Sequence, residues 1–152
     1  MDKKTYFAQY SQLKSWLIND EHVLESLQTS MTDARAPEIR DDPVQFSHTG
    51  DAPYVIILEK IERLKAKILL EKDLLWRLKA EMIQLFASLT PERYDLMVSR
   101  YIACLKWDQI YEEKHLSKSA ALCWHRESLR SLVLPENAVD IYTELAGMNS
   151  VE

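Results

Sequence analysis

The sequence predicts an all-α chain: an N-terminal helix and a long amphipathic, coiled-coil-like helix, followed by a compact helix-turn-helix domain. Three observations predict it. The 152 residues include only 2 glycines and 5 prolines, which leaves little material for tight hairpins. Long stretches are rich in Leu, Glu and Lys, which favour helix. Apolar residues recur at steps of three and four, the period of a helix face, rather than alternating as in a strand. With 47% hydrophobic and 28% charged residues, the composition is that of a globular chain and not of a disordered one.

Residues 1–31 form the first predicted helix. Tyr6, Tyr10, Leu13, Leu17, Leu24, Leu27 and Met31 mark one face, and Asp20 interrupts the seam. The stretch "TDARAPEIRDDPVQFSHTGDAP" (32–53) holds three of the five prolines and one of the two glycines, and no period survives in it. It reads as a flexible linker.

Residues 54–89 carry the strongest local signal. Ile57, Ile61, Leu64, Ile68, Leu75, Leu78, Met82, Leu85 and Leu89 keep a four–three step, and Glu71 is the one break. At 1.5 Å per residue such a helix extends roughly 50 Å. It cannot bury its stripe alone. An intramolecular hairpin with the first helix would cover it. So would a second copy, because isoleucine at one seam position and leucine at the other suits a parallel dimer. A bundle of two hairpins would use both arrangements.

Residues 90–134 read as a separate compact domain. In "LTPERYDLMVSRYIACL", Thr90 is placed as an N-cap and Pro91 as the first helical residue. Leu96, Met97, Tyr101, Ile102 and Leu105 supply its inward face. A short helix follows over 106–114, then a turn at His115-Leu116-Ser117, then a last helix over 118–132. The acidic tail, 135–152, offers one short helix over Ala138, Ile141, Tyr142 and Leu145. It contains no Lys or Arg.

The turn and its two helices have the parts of a helix-turn-helix. Trp107, Ile110 and Tyr111 anchor the first helix, and Leu116 plugs the turn. Ser117 caps the second helix by accepting a backbone N–H. Ala121, Trp124, Ser128, Leu129 and Leu132 fall on its inner face. The residues left to meet DNA are Lys106, Ser117, Lys118, Ser119, Leu122, His125, Arg126 and Arg130, with His125, Arg126 and Arg130 expected toward solvent.

The stretch "KWDQIYEEKHLSKSAALCWHRESLRSL" (106–132) resembles the helix-turn-helix of bacterial sigma-factor region four. Ile110, Ser117, Leu129 and Leu132 carry the likeness, with the apolar Trp107, Leu116, Ala121 and Trp124. More of the chain resembles one phage family, the ArpU-type late transcriptional regulators, which are related in character to RinA-type activators. That likeness lies in "DPVQFSH" (42–48), the long helix, "SRYIACLKWDQI" (99–110) and "CWHRESL" (123–129). It implies sequence-specific binding of double-stranded DNA at a phage late promoter, inside the cytoplasm of a bacterial host. Contact with RNA polymerase through the sigma-like end is a further implication.

The departures from that pattern have consequences. Ala120, Leu122 and Cys123 stand where sigma-type recognition helices are rich in Arg, Glu and Gln. Base reading is then expected through thymine methyls or DNA shape, with few direct hydrogen bonds. Tyr111 replaces a small residue, and Lys114 and His115 replace an apolar residue and a glycine.

Charge limits the partner. The chain carries a formal −5, which excludes a strongly basic coat. From 90 to 132 there are seven basic side chains against six acidic ones. One copy would neutralise about 3–4 phosphates. Two copies joined by the long helices would bind more tightly through effective concentration, so a homodimer is expected.

Other chemistries find little support. The spacing of Cys104, His115, Cys123 and His125 fits no usual zinc site. Cys104 has no oriented base, and no phosphate-cradling glycine loop exists. Neither a metal, nor a cofactor, nor catalysis is expected. No signal peptide or membrane-spanning run is seen. The alternative to DNA binding is a non-catalytic protein-interaction module on a helix-turn-helix shape, in which Leu122, Trp124 and the acidic tail meet a protein of the host transcription machinery.

Overall fold

Helices account for most of the backbone in the computed structural model, which describes residues 1–35 and 52–149. Among the described residues there are six helices and no strand. They are α1 (Lys3–Arg35), α2 (Ala52–Phe86), α3 (Pro91–Tyr101), α4 (Trp107–Lys114), α5 (Lys118–Ser131) and α6 (Ile141–Asn149). The all-α class expected from the sequence is therefore the class observed.

Helix α1 runs past the expected boundary at Met31 and ends at Arg35. Nothing in "TDAR" breaks a helix, and the Thr32 hydroxyl donates to the Gln28 carbonyl at 3.1 Å. The next proline is Pro37, whose ring disfavours helical backbone at the residue before it. The rest of the stretch read as a linker up to Asp51, "DPVQFSH" included, lies outside the described residues.

The chain divides into two compact units: Met1–Lys14 with Asp73–Glu152, and Ser15–Lys72. The first is wider than the 90–134 segment read as a domain, because it takes in the start of α1 and the second half of α2. Its core holds Tyr6, Phe7 and Leu13 from α1, and Leu74, Leu78, Met82 and Phe86 from α2, all essentially solvent-free. Leu96, Met97, Ile110, Leu132 and Ile141 complete it.

The buried stripe of α2 in this unit differs from the expected seam. Leu78 and Met82 are buried as expected, but Leu75 and Leu85 are half-buried, and Leu74 and Phe86 are fully buried in their stead. A straight helix has 3.6 residues per turn, so a contact face drifts away from a strict heptad line. The steps of four from Leu74 to Phe86 go further, each turning the buried line by about 40° around α2.

The acidic tail docks onto this unit. Gln9 is wholly buried, and its amide nitrogen donates to the Val139 carbonyl at 3.0 Å and to the Tyr6 carbonyl at 3.2 Å. Its amide oxygen accepts the Ile141 N–H at 2.8 Å. Glu81 Oε1 accepts from the Tyr6 hydroxyl at 2.6 Å and from the Val139 N–H at 3.1 Å. Burial, and then the hydrogen bond to Glu81, raise the Tyr6 phenol well above its ordinary value. Arg77 grips Glu144 of α6 with both terminal nitrogens, at 2.8 and 3.1 Å. Asp140 starts α6 by accepting the backbone N–H groups of Tyr142 and Thr143.

In the second unit, Leu17 and Met31 of α1 and Ile61 and Ile68 of α2 are buried, while Ile57 and Leu64 are half-buried. Lys67 of α2 reaches Asp20 of α1 at 3.2 Å, and Lys72 reaches Glu21 at 3.4 Å. The α1–α2 hairpin covers these seam residues within one chain. No described helix is long and apolar enough to cross a membrane.

Candidate nucleic-acid interface

Local chemistry defines the turn between α4 and α5. Lys106 precedes α4, and its backbone N–H is accepted by the Gln109 side chain at 3.0 Å. The helix ends at His115, which adopts the left-handed conformation at φ 52°. Ser117 then opens α5 as its N-cap, with its hydroxyl accepting the Ala120 N–H at 3.1 Å. The cap predicted from one residue type is the cap observed.

His115 occupies a backbone region that costs a residue with a Cβ roughly 1–2 kcal/mol. It is exposed, so little packing offsets that cost. Replacing His115 by glycine is expected to stabilise the protein by about 0.5–1 kcal/mol, after the extra freedom of the unfolded glycine is subtracted. A urea melt with a higher midpoint and an unchanged slope is the expected result. A lower midpoint would mean that the imidazole makes contacts worth more than the strain.

The inner face of α5 centres on Ala121, Ser128 and Leu132, all buried. Ile110 of α4 is buried against this core, and Trp107, Tyr111, Leu116, Trp124 and Leu129 are half-buried. Trp124 thus sits on a flank and is not the fully enclosed lock expected. At 100° per residue it lies about 60° from Ala121, on the opposite side from His125.

His125 requires the larger correction, because it does not project freely into solvent. It lies about 40° from Ala121 around the helix, still on the inward arc. Its ring packs edge-on against Trp107, with centroids 4.9 Å apart, and stacks on Tyr101 at 5.6 Å. Tyr101 Oη and His125 Nε2 are 2.5 Å apart. Burial first, and the Arg100 charge second, lower the imidazole from its ordinary value. A neutral ring with its proton on Nδ1 can then accept the tyrosine O–H through Nε2. Arg100 lies over the Trp107 ring at 4.8 Å and donates to the Leu105 carbonyl at 3.0 Å.

Nothing in the local sequence pattern marks Arg93, Arg100 or Tyr101 as a partner of α5. Arg93 pairs with Glu127 at 2.5 Å. Glu127 is the one acidic residue of α5, so Arg93 compensates its charge locally. Cys123 donates weakly to the same carboxylate at 3.5 Å.

What remains on the outside is Lys118, Ser119, Cys123, Arg126 and Arg130, all exposed. Ser119, Cys123, Arg126 and Arg130 lie opposite the buried arc, and Lys118 stands in the first turn. Leu122 is half-buried on a flank, so Cys123 takes the central place. Lys118, Arg126 and Arg130 form no ion pair with another described residue. This face has the charge to hold phosphate and few groups to hydrogen-bond a base edge. Lys106 and Ser117 are exposed near the same turn, with the Ser117 hydroxyl already used as a cap.

Cys104 is half-buried and Cys123 exposed. Among the described residues, no group of three His, Cys, Asp or Glu side chains is placed to hold a metal ion. No family model, no curated protein and no solved structure matches the chain.

Proposed function

We propose that the protein is a non-catalytic, sequence-specific DNA-binding regulator of transcription, acting on phage late genes as its resemblance to the ArpU-type regulators implies. One observation carries the DNA-binding reading. A Ser117-capped helix is braced by α3 and α4, and its outer face presents Lys118, Arg126 and Arg130, none of them ion-paired with a described residue. With its own acid held by Arg93, that face offers cations to phosphates although the whole chain is acidic. The late-gene role rests on the sequence resemblance.

Two copies would be needed for tight binding, since one face neutralises few phosphates. Of the seam, Ile61, Ile68, Leu78 and Met82 are buried within one chain, and Ile57, Leu64, Leu75 and Leu85 are half-buried. Contact with RNA polymerase stays part of the proposal through the sigma-like turn.

The test is a titration of late-promoter DNA against random DNA of equal length, at two salt concentrations, with light scattering to count copies. Preferential binding by a dimer, weakened by salt, is expected. Replacing Lys118 and Arg126 together by alanine should weaken binding of both DNAs and lower the salt slope by about 2 per copy. Circular dichroism should be unchanged, because both side chains are exposed. Unchanged affinity rejects this docking face, and equal affinity for the two DNAs rejects specific regulation by this protein alone.

A protein-interaction role is the second reading. Cys123 at the centre of the outer face and Leu122 beside it favour it, because they leave that face poor in base-reading groups. The same titration separates the two, since an interaction module would show no salt-dependent DNA binding.

A further inference from the structure

Two residues interrupt the apolar seams of this sequence: Asp20 on α1 and Glu71 on α2. The fold brings them together in the unit formed by residues 15–72. Glu71 is wholly buried and Asp20 is 8% exposed. No hydrogen-bond donor from a described residue reaches either oxygen of Glu71, or Oδ2 of Asp20. Lys67 Nζ lies 3.2 Å from Asp20 Oδ2 and 3.8 Å from Glu71 Oε1, close enough for ion pairing but not aligned as a donor. The other charges nearby are Glu21 on α1 and Lys72 on α2, which pair with each other at 3.4 Å. His22, the next residue on α1, is exposed.

One ammonium faces two buried carboxyl groups. If both were ionised, one negative charge would stay buried without compensation. Taking up a proton removes that charge and lets one of the three orphaned oxygens donate to another across the pair. We propose that Asp20 and Glu71 share one proton at neutral pH, and that this proton locks α1 against α2 within residues 15–72. The lock loosens as pH rises and the proton leaves.

The energetics run in that direction. Burial, then the hydrogen bond that the added proton makes with Asp20 and the charge of Asp20, push the Glu71 carboxyl up to about 8, while Lys67 pulls it down. The proton that Glu71 holds is placed to bridge to the Asp20 carboxylate beside it. In the unfolded chain the same glutamate ionises near 4.5. Between those values the folded form holds one more proton than the unfolded form. Stability from this source is complete below the unfolded value and is lost as pH rises toward the folded one. For one proton, the opening constant rises about tenfold per pH unit inside that window. Asp20 and Glu71 are separate breaks along the sequence, and their burial together makes them one proton-binding element.

The test uses the full chain and amide hydrogen exchange of residues 17–27 and 61–71 at pH 6, 7 and 8, corrected for the intrinsic exchange rate. The wild type should open about tenfold more from pH 6 to pH 7 and roughly fivefold more from pH 7 to pH 8. Glu71→Gln should flatten that dependence and be better protected at pH 8. A slope retained in Glu71→Gln would assign it to another group, His22 first, and overturn the proposal. Infrared spectroscopy of the wild type supplies a readout that does not depend on the variant folding. A carboxylic-acid carbonyl band should persist at pH 7, where exposed carboxyls are ionised, and titrate away near pH 8. Its absence at pH 7 would show both groups ionised beside Lys67 and would overturn the shared proton.

Discussion

Phe7→Ala is expected to lower the unfolding free energy by about 3–5 kcal/mol, the largest effect of any single substitution considered for this protein. The ring is 1% exposed and sits at the centre of an aromatic cluster. It meets Tyr6 edge-on at 5.0 Å, stacks on Phe86 at 5.6 Å and leans on Tyr101 at 5.1 Å. Its removal deletes the apolar transfer energy, leaves a cavity among rigid rings, and takes away the support on one side of Tyr101. Because Tyr101 also holds His125, the damage should reach α5. Hydrogen exchange should show lost protection in 118–131 as well as in α1, and DNA affinity should fall with it. Phe7→Leu keeps most of the volume and should cost about 1–2 kcal/mol. An alanine variant that melts within about 1 kcal/mol of the wild type would mean that the cluster is not packed as described.

The ease of reading each feature followed the range of the physics that makes it. Ser117 was legible because a cap needs one side chain and a backbone N–H three residues away. The length of α2 was legible because helical periodicity is a local property of its sequence. His125 lies only about 40° from Ala121, on the inward arc, but a polar ring reads as a solvent residue and residue type does not reveal the aromatic pocket that takes it. The pocket is made by Tyr101 and Trp107, from two other helices.

Asp20 and Glu71 read as breaks for a related reason. Each is polar in an apolar seam, and only their meeting across the hairpin explains the burial. Gln9 gave no signal of its role. Its spacing, three after Tyr6 and four before Leu13, puts it on the apolar face, but an amide there reads as one more break in the seam and not as a buried partner. Its partners are backbone groups some 130 residues away, which no window on the sequence can contain. The outer face of α5 was legible in its charges, but not in the central place of Cys123, which depends on how far the inner arc reaches.

Gln9→Ala is expected to destabilise the protein by about 2–4 kcal/mol, more than the loss of one ordinary hydrogen bond. The reason lies in what is left behind. Ile141 is buried, and its N–H would lose the Gln9 acceptor at the start of α6. The Val139 carbonyl would lose its donor, and a void would open where the amide stood. An unsatisfied buried group costs its full desolvation, about 1–3 kcal/mol, and neither group can turn to water without moving the tail. The tail should therefore yield first. Hydrogen exchange of residues 139–148 should rise before the global melt, while Glu81 and Arg77 still hold Val139 and Glu144. Gln9→Leu separates the contributions, because it refills the volume but leaves both backbone groups unpaired. It should still cost about 1–3 kcal/mol. If Gln9→Leu is neutral while Gln9→Ala is not, packing alone fixes the tail and the amide bonds contribute nothing.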